Sequence, residues 1–93
     1  MTEPLVIESK IARQMARRGW TRRDIESTFA HPHRIVETTD MRWRADGSRR
    51  SDPAKAYMRE DGHYIVRNEV DGTIVQISNR NKPHWKSPFE SRE

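Results

Sequence analysis

Apolar residues along this chain change their spacing near His33, from a helical interval to a strand-like one. Before that point Leu5, Ile7, Ile11 and Met15 recur at near-helical spacing, with Glu8, Lys10, Arg13, Gln14, Arg17 and Arg18 on the remaining arc. Pro4 suits the start of this helix and Gly19 its end. Thr21 is a good N-cap for a second, shorter helix, and Asp24 falls at the capping-box position. Ile25 and Phe29 then lie one turn apart on one face, and Pro32 closes the helix because the residue before a proline resists helical backbone.

From His33 the pattern is that of strands. Ile35 and Val36 open a β-branched stretch that continues through Thr38 and Thr39. Residues 45–53 (ADGSRRSDP) are turn-rich and basic and read as an exposed loop. Two hairpins follow. Tyr57 to Arg59 leads into Asp61-Gly62 and His63 to Asn68 leads out; Asp71-Gly72 then turns into a last strand, Thr73 to Ser78. Two helices before an antiparallel meander imply an α+β domain with the helices on one sheet face and the opposite face open to a ligand. Tyr64, Val66, Val75 and Ile77 are placed toward the helices and Ile65 and Arg67 away, although both parities contain apolar residues. The whole chain, 1–93, reads as one domain, with the polar stretch 81–93 an irregular tail.

Charge narrows the choice of partner. The 93 residues include 18 Lys and Arg against 14 Asp and Glu, a formal net charge of +4. A small basic domain suits a polyanion, although a cationic surface can also serve solubility alone. The chain has no cysteine, which removes disulfides, thiolate metal sites and a Cys nucleophile. No apolar run approaches the roughly 20 residues needed to span a bilayer. Glu3, Glu8 and Lys10 interrupt the N-terminal apolar cluster, so no signal peptide is expected and any delivery apparatus would lie outside this chain.

Few motifs carry chemistry alone. His31-x-His33 could seed a metal site, but Pro32 separates the two and no cysteine joins them. A general acid–base pair of histidines would need two imidazoles on opposite sides of one phosphate, and nothing in the spacing of His31, His33, His63 and His84 places them so. No Gly-rich phosphate loop or nucleophile elbow is present. Arginines give the stronger signal. Arg17, Arg18, Arg22 and Arg23 flank Trp20; Arg42 and Arg44 flank Trp43; Arg49 and Arg50 occupy the central loop; Arg80, Lys82 and Lys86 surround Trp85. Cations for phosphates and flat rings for bases suit single-stranded RNA. Trp20 also fits a core position at the helix–helix corner, Trp85 fits binding better than burial, and Trp43 fits either.

The strings RGWT (Arg18 to Thr21), SDPAKAY (Ser51 to Tyr57) and DGHYIVRNEVDGTIVQISNRN (Asp61 to Asn81), with Trp85, resemble the ribonuclease domain of the colicin E5 family. The resemblance runs from about Lys10 to Phe89. It implies a fold of the barnase, EndoU, colicin and RelE type. It also implies an endoribonuclease toxin that cuts transfer RNA in the anticodon loop without histidine, metal or cofactor. On that resemblance the catalytic residues are Lys10 and Arg18. They are eight positions apart, so about 80° past two full turns, and can edge one helix face. The substrate-binding set is Arg44, Arg49, Tyr57, Arg67, Asn79, Arg80 and Trp85. The implied partners are the tRNA anticodon loop and an acidic immunity protein or antitoxin. The implied place of action is the bacterial cytoplasm, after delivery within a larger secreted toxin. A non-catalytic RNA- or DNA-binding module, a ribosome-dependent messenger-RNA cutter and a protein-interaction domain remain alternatives.

Overall fold

The computed structural model describes residues 5–43 and 46–81. Two helices, α1 (Ser9–Arg18) and α2 (Arg22–Ala30), precede four strands, β1 (Arg34–Asp40), β2 (Asp52–Met58), β3 (Tyr64–Asn68) and β4 (Ile74–Ile77). The strands form one antiparallel sheet in the order β1-β2-β3-β4, and both helices lie on the same face of it. This is the α+β meander that the change of period implies.

Local chemistry sets the helix ends. Thr21 and Asp24 form a reciprocal capping box: Thr21 Oγ1 accepts from Asp24 N at 3.1 Å, and the Asp24 carboxylate accepts from Thr21 N at 3.0 Å. Gly19 ends α1 in left-handed backbone, φ 78°. The start of α1 differs from expectation. Leu5 and Ile7 precede the helix, and the chain there is extended: Val6 bridges Thr73 in parallel, giving its N–H to Gly72 O and accepting from Ile74 N. Leu5 and Ile7, two apart, both pack on the helix-side core, which is strand alternation and not a helical turn. Pro4 lies outside the described residues.

The second strand also departs from expectation, for it begins at Asp52 and not at Tyr57. Residues 52–56 hold a proline, a lysine and two alanines, a poor strand composition. They are strand because β2 is central and pairs on both sides, Ala54 with Thr38 and Asn68, and Ala56 with Val36 and Val66. The exposed loop shortens accordingly.

The face assignment is reversed for most of the sheet. Tyr57, Ile65, Ile74 and Ile77 bury against Ile11, Trp20 and Ile25 on the helix side, as Ile77 alone was expected to do. Tyr64 and Val66 lie in a second cluster on the other side, with Ala54, Ala56, Met58 and half-buried Val75. A bulge explains part of this. Val66 pairs with Gln76 but Arg67 pairs with Ile74, so Val75 is the extra residue and Ile74 and Ile77 reach the same face. The helix-side core is largely isoleucine. Each fully buried Ile stabilises the fold by roughly 1.5–3 kcal/mol relative to leaving it exposed.

Candidate nucleic-acid interface

The most connected charged region is the corner where the end of α1 meets the chain leaving β4. Helix ends leave carbonyls without intrahelical partners. Here Met15 O is met by the N–H of Trp20, and the three carbonyls from Arg17 to Gly19 are met by residues 80 and 81. Arg17 O accepts from Asn81 Nδ2 at 2.9 Å, Arg18 O from Arg80 N at 2.8 Å, and Gly19 O from Arg80 Nη1 at 3.1 Å. A Cβ on Gly19 would sit 2.9 Å from Asn81 Oδ1, so the close approach needs glycine as much as the left-handed backbone does. Trp20 is buried and donates its indole N–H to Ser78 O at 2.7 Å, as the core reading of that residue expects. The guanidinium groups of Arg59 and Arg80 lie over its ring at 5.9 and 5.2 Å. The strings RGWT and SNRN, far apart in sequence, therefore form one assembly.

Arg18 is the residue this assembly aims. Its Nη1 donates to Ile77 O at 2.7 Å, on the last residue of edge strand β4. A carbonyl carries no net charge, so the guanidinium is fixed but, among the described residues, not neutralised by a carboxylate. Arg80 is held differently: its Nη1 also reaches the Asp24 carboxylate at 3.1 Å, which cancels part of its charge. Lys10 is exposed on the same helix, roughly 12 Å before Arg18 along the axis. Asn79 is half-buried beside them and its Oδ1 accepts from Asn81 N.

Beyond Arg18 lies the sheet face away from the helices. Tyr64 OH accepts from Gln76 Nε2 at 2.8 Å. Burial raises the Tyr64 phenol, against the lowering effects of the Gln76 hydrogen bond and the Arg18 charge. From Gln76 a groove of about 360 Å³ runs across the sheet to β1, lined by Gln76, Val66, Thr38, Asp40, Trp43 and Arg49. Arg49 closes its far end, its guanidinium 4.7 Å above the Trp43 ring. Arg44 and Trp85, both expected on the substrate side, lie outside the described residues.

A buried polar network supports the far end. Asn68 is fully buried and uses its whole amide: Nδ2 donates to Asp40 and Asp52, at 2.8 and 3.0 Å, and Oδ1 accepts from the N–H groups of Val70 and Asp71. Burial pushes the Asp40 carboxyl up, but hydrogen bonds from Arg42 and Asn68 outweigh it and hold the group down at about 2. Arg42 grips Asp40 through Nε and Nη2, the latter at 2.9 Å. None of this network was legible from residue spacing, although Asn68 before a turn is a common Asx signal.

Tyr57 and Arg67 are placed elsewhere. Both are buried on the helix side, where Glu69 Oε2 accepts from Tyr57 OH at 3.0 Å and from Arg67 Nη1 at 2.7 Å. Phe29 packs edge-on to Tyr57, and Arg67 lies over the Phe29 ring. Burial and the Glu69 contact raise the Tyr57 phenol to about 12. Both thus lie on the opposite side of the sheet from the groove lined by Val66 and Gln76. Of the histidines, His31 and His33 are exposed after α2, and half-buried His63 shares a hydrogen bond between Nδ1 and Ser78 Oγ at 3.0 Å. Burial, followed by the charges of Arg80 and Arg59, lowers the His63 imidazole, and Asp61 opposes them. Among the described residues no three His, Asp or Glu side chains gather to hold a metal ion.

The sequence profile of the colicin E5 ribonuclease domain matches residues 7–90. This chain belongs to the colicin E5 ribonuclease domain family. It is 34% identical over 84 residues to the tRNA nuclease CdiA of Burkholderia pseudomallei, covering 87% of this chain and 6% of that protein. It is likewise 34% identical over 84 residues to colicin-E5 of Escherichia coli, covering 87% of this chain and 46% of that one. The chain thus spans less than half the length of either relative. The matched region contains the α1–β4 corner, the groove and all of the catalytic and substrate-binding candidates.

Proposed function

We propose that this domain is a metal-independent endoribonuclease that cleaves transfer RNA within the anticodon loop. The observation that carries the reading is Arg18, a guanidinium fixed by a neutral carbonyl at the β4 edge of the sheet, in a chain related to a named tRNA nuclease. The ribose 2′-OH attacks the adjacent phosphorus, the bond to the 5′-oxygen of the next nucleotide breaks, and the products are a 2′,3′-cyclic phosphate and a 5′-OH. Negative charge gathers on the phosphorane oxygens. Arg18 donates to two of them through its fork, the arrangement that favours transition-state charge over ground-state charge. Lys10, on the same helix, reaches the phosphate from the other side and assists the 2′-OH or the leaving oxygen. Asn79 and Arg80 hold the RNA backbone beside Arg18, and Arg49 holds it at the far end. Arg44 and Trp85 complete the substrate-binding set. Tyr57 and Arg67 act indirectly, by supporting the helix side of the sheet.

The domain acts in the cytoplasm of a bacterial target cell, delivered as part of a larger toxin. An acidic immunity protein or antitoxin occupies the same groove by imitating RNA charge, and its affinity falls as salt rises. The test is incubation of purified protein with total transfer RNA in the presence of a chelator, followed by end-mapping. Cuts confined to anticodon loops are expected, with Lys10→Ala and Arg18→Ala both impaired. Intact anticodon loops would mark a binding module, and cleavage seen only on ribosome-bound messenger RNA would mark an interferase.

A further inference from the structure

Trp43 is 66 % exposed, the most exposed aromatic ring among the described residues, yet the chain beside it is firmly braced. Arg42, just before it, is clamped to buried Asp40 by its side chain, and its N–H donates to Asp40 Oδ1 at 3.1 Å. Its carbonyl accepts from Arg50 N at 2.8 Å, and Trp43 itself bridges Arg49. Just before Arg49, Asp46 Oδ1 accepts from Ser48 N and from Ser48 Oγ, and Gly47 has φ 87°. A large apolar ring mounted on a braced backbone, and left in water, is costly unless something covers it.

We propose that Trp43 is a stacking platform for an unpaired base that flanks the cleaved step of the RNA at a distance of several nucleotides. The inference rests on the RNA-cleavage reading above and extends it to a second subsite. Three observations support an RNA base as the occupant. Trp43 and Arg49 line the same groove as Gln76, whose Nε2 donates to Tyr64 OH, a phenol that feels the charge of Arg18. The Arg49 guanidinium lies over one face of the ring, 4.7 Å from its centre, so the base takes the opposite face and the cation serves the phosphate that comes with it. Stacking on an indole needs no particular base, and Thr38 and Gln76 add hydrogen-bonding groups along the groove wall. The base is a flanking one because of distance. Arg18 is bound at Ile77, which is in register with Ile35 of β1, so Trp43 lies three strand spacings across the sheet, about 14 Å, and more than five residues along it, about 17 Å or more. That is several times the rise of roughly 3.4 Å between neighbours along a nucleic acid strand.

The decisive experiment compares cleavage of a synthetic anticodon stem-loop RNA with cleavage of the dinucleotide spanning the cleaved step. Wild type, Trp43→Ala and Trp43→Phe are assayed on both. Trp43→Ala is expected to raise KM for the stem-loop about tenfold, the effect of one lost base stack, with kcat within about twofold. Its effect on the dinucleotide should be several times smaller, and Trp43→Phe should restore most of the loss. An unchanged KM on the stem-loop, or an equal loss on both RNAs, overturns the proposal. Should wild type cut no RNA, the cleavage reading fails separately. Equilibrium binding of the stem-loop carrying 2-aminopurine at the flanking position then decides. Fluorescence quenching lost in Trp43→Ala, with about tenfold weaker binding, supports the platform, whereas unchanged binding and quenching overturn it.

Discussion

Two corners of this small sheet gather arginines, and they hold them in opposite ways. At the α1–β4 corner Arg18 is bound to the carbonyl of Ile77. At the opposite corner Arg42 is bound to Asp40, and Arg50 to Asp52 and Asp71. Both modes fix a side chain. Only the first leaves its positive charge available, because a carboxylate partner cancels the field that a phosphate would feel. The second corner converts charge into rigidity, and that rigidity mounts Trp43 and Arg49. A count of arginines along the chain therefore overstates the electrostatic site. The nature of each partner separates the cation that can do chemistry from those that build the scaffold.

Breaking the first corner should give the largest effect. Arg18→Ala is expected to lower cleavage about 10²–10³-fold, the usual cost of one preorganised oxyanion donor, while the thermal midpoint changes little. Arg18→Lys keeps the charge and loses the fork, so its rate should fall between the two. Breaking the second corner should instead cost stability. Asp40→Ala leaves Asn68 and Arg42 without their buried acceptor and is expected to destabilise the fold by about 3 kcal/mol in denaturant titration. Gly19→Ala forces an L side chain into left-handed backbone against Asn81, for a loss of about 1–2 kcal/mol. Tyr57→Phe removes a single hydrogen bond to Glu69, which still pairs with Arg67, and should cost about 1 kcal/mol with cleavage retained.

The same contrast predicts the response to acid. The Asp40 carboxyl is held down at about 2 in the folded chain, below its ordinary value of 3.8. A depressed carboxyl stabilises the fold above its unfolded value. On the order of 2 kcal/mol should therefore be present above about pH 4 and lost as the pH falls toward 2. In Asp40→Asn that acid-dependent step should disappear. His63 is also depressed, so its neutral form favours the fold, and stability should already decline as the pH falls below the ordinary histidine range.

The parts that were readable in the sequence are those decided within a few residues. The Thr21–Asp24 capping box, Gly19 as helix end and the two Asp-Gly turns all rest on local backbone chemistry. Residues 52–56 were not readable as strand, because pairing on both sides overrides a composition of proline, lysine and alanine. The orientation of β3 was hidden because Tyr64 and Val66 on one face and Ile65 on the other are equally apolar, and the bulge at Val75 shifts the parity of β4. Arg18 was picked out by the family resemblance and not by its spacing. The contact that explains it, to Ile77, joins residues 59 positions apart. The Trp43 mount likewise depends on Asn68 meeting Asp40 and Asp52, which only the closed sheet brings together.

The measurement that bears most directly on this account is the single-turnover cleavage rate of an anticodon stem-loop by Arg18→Gln beside Arg50→Gln, each corrected for its folded fraction. The account predicts a loss of about 10²–10³-fold for Arg18→Gln and a change of no more than a few-fold for Arg50→Gln. Equal losses in the two variants, or full activity in Arg18→Gln, would contradict it.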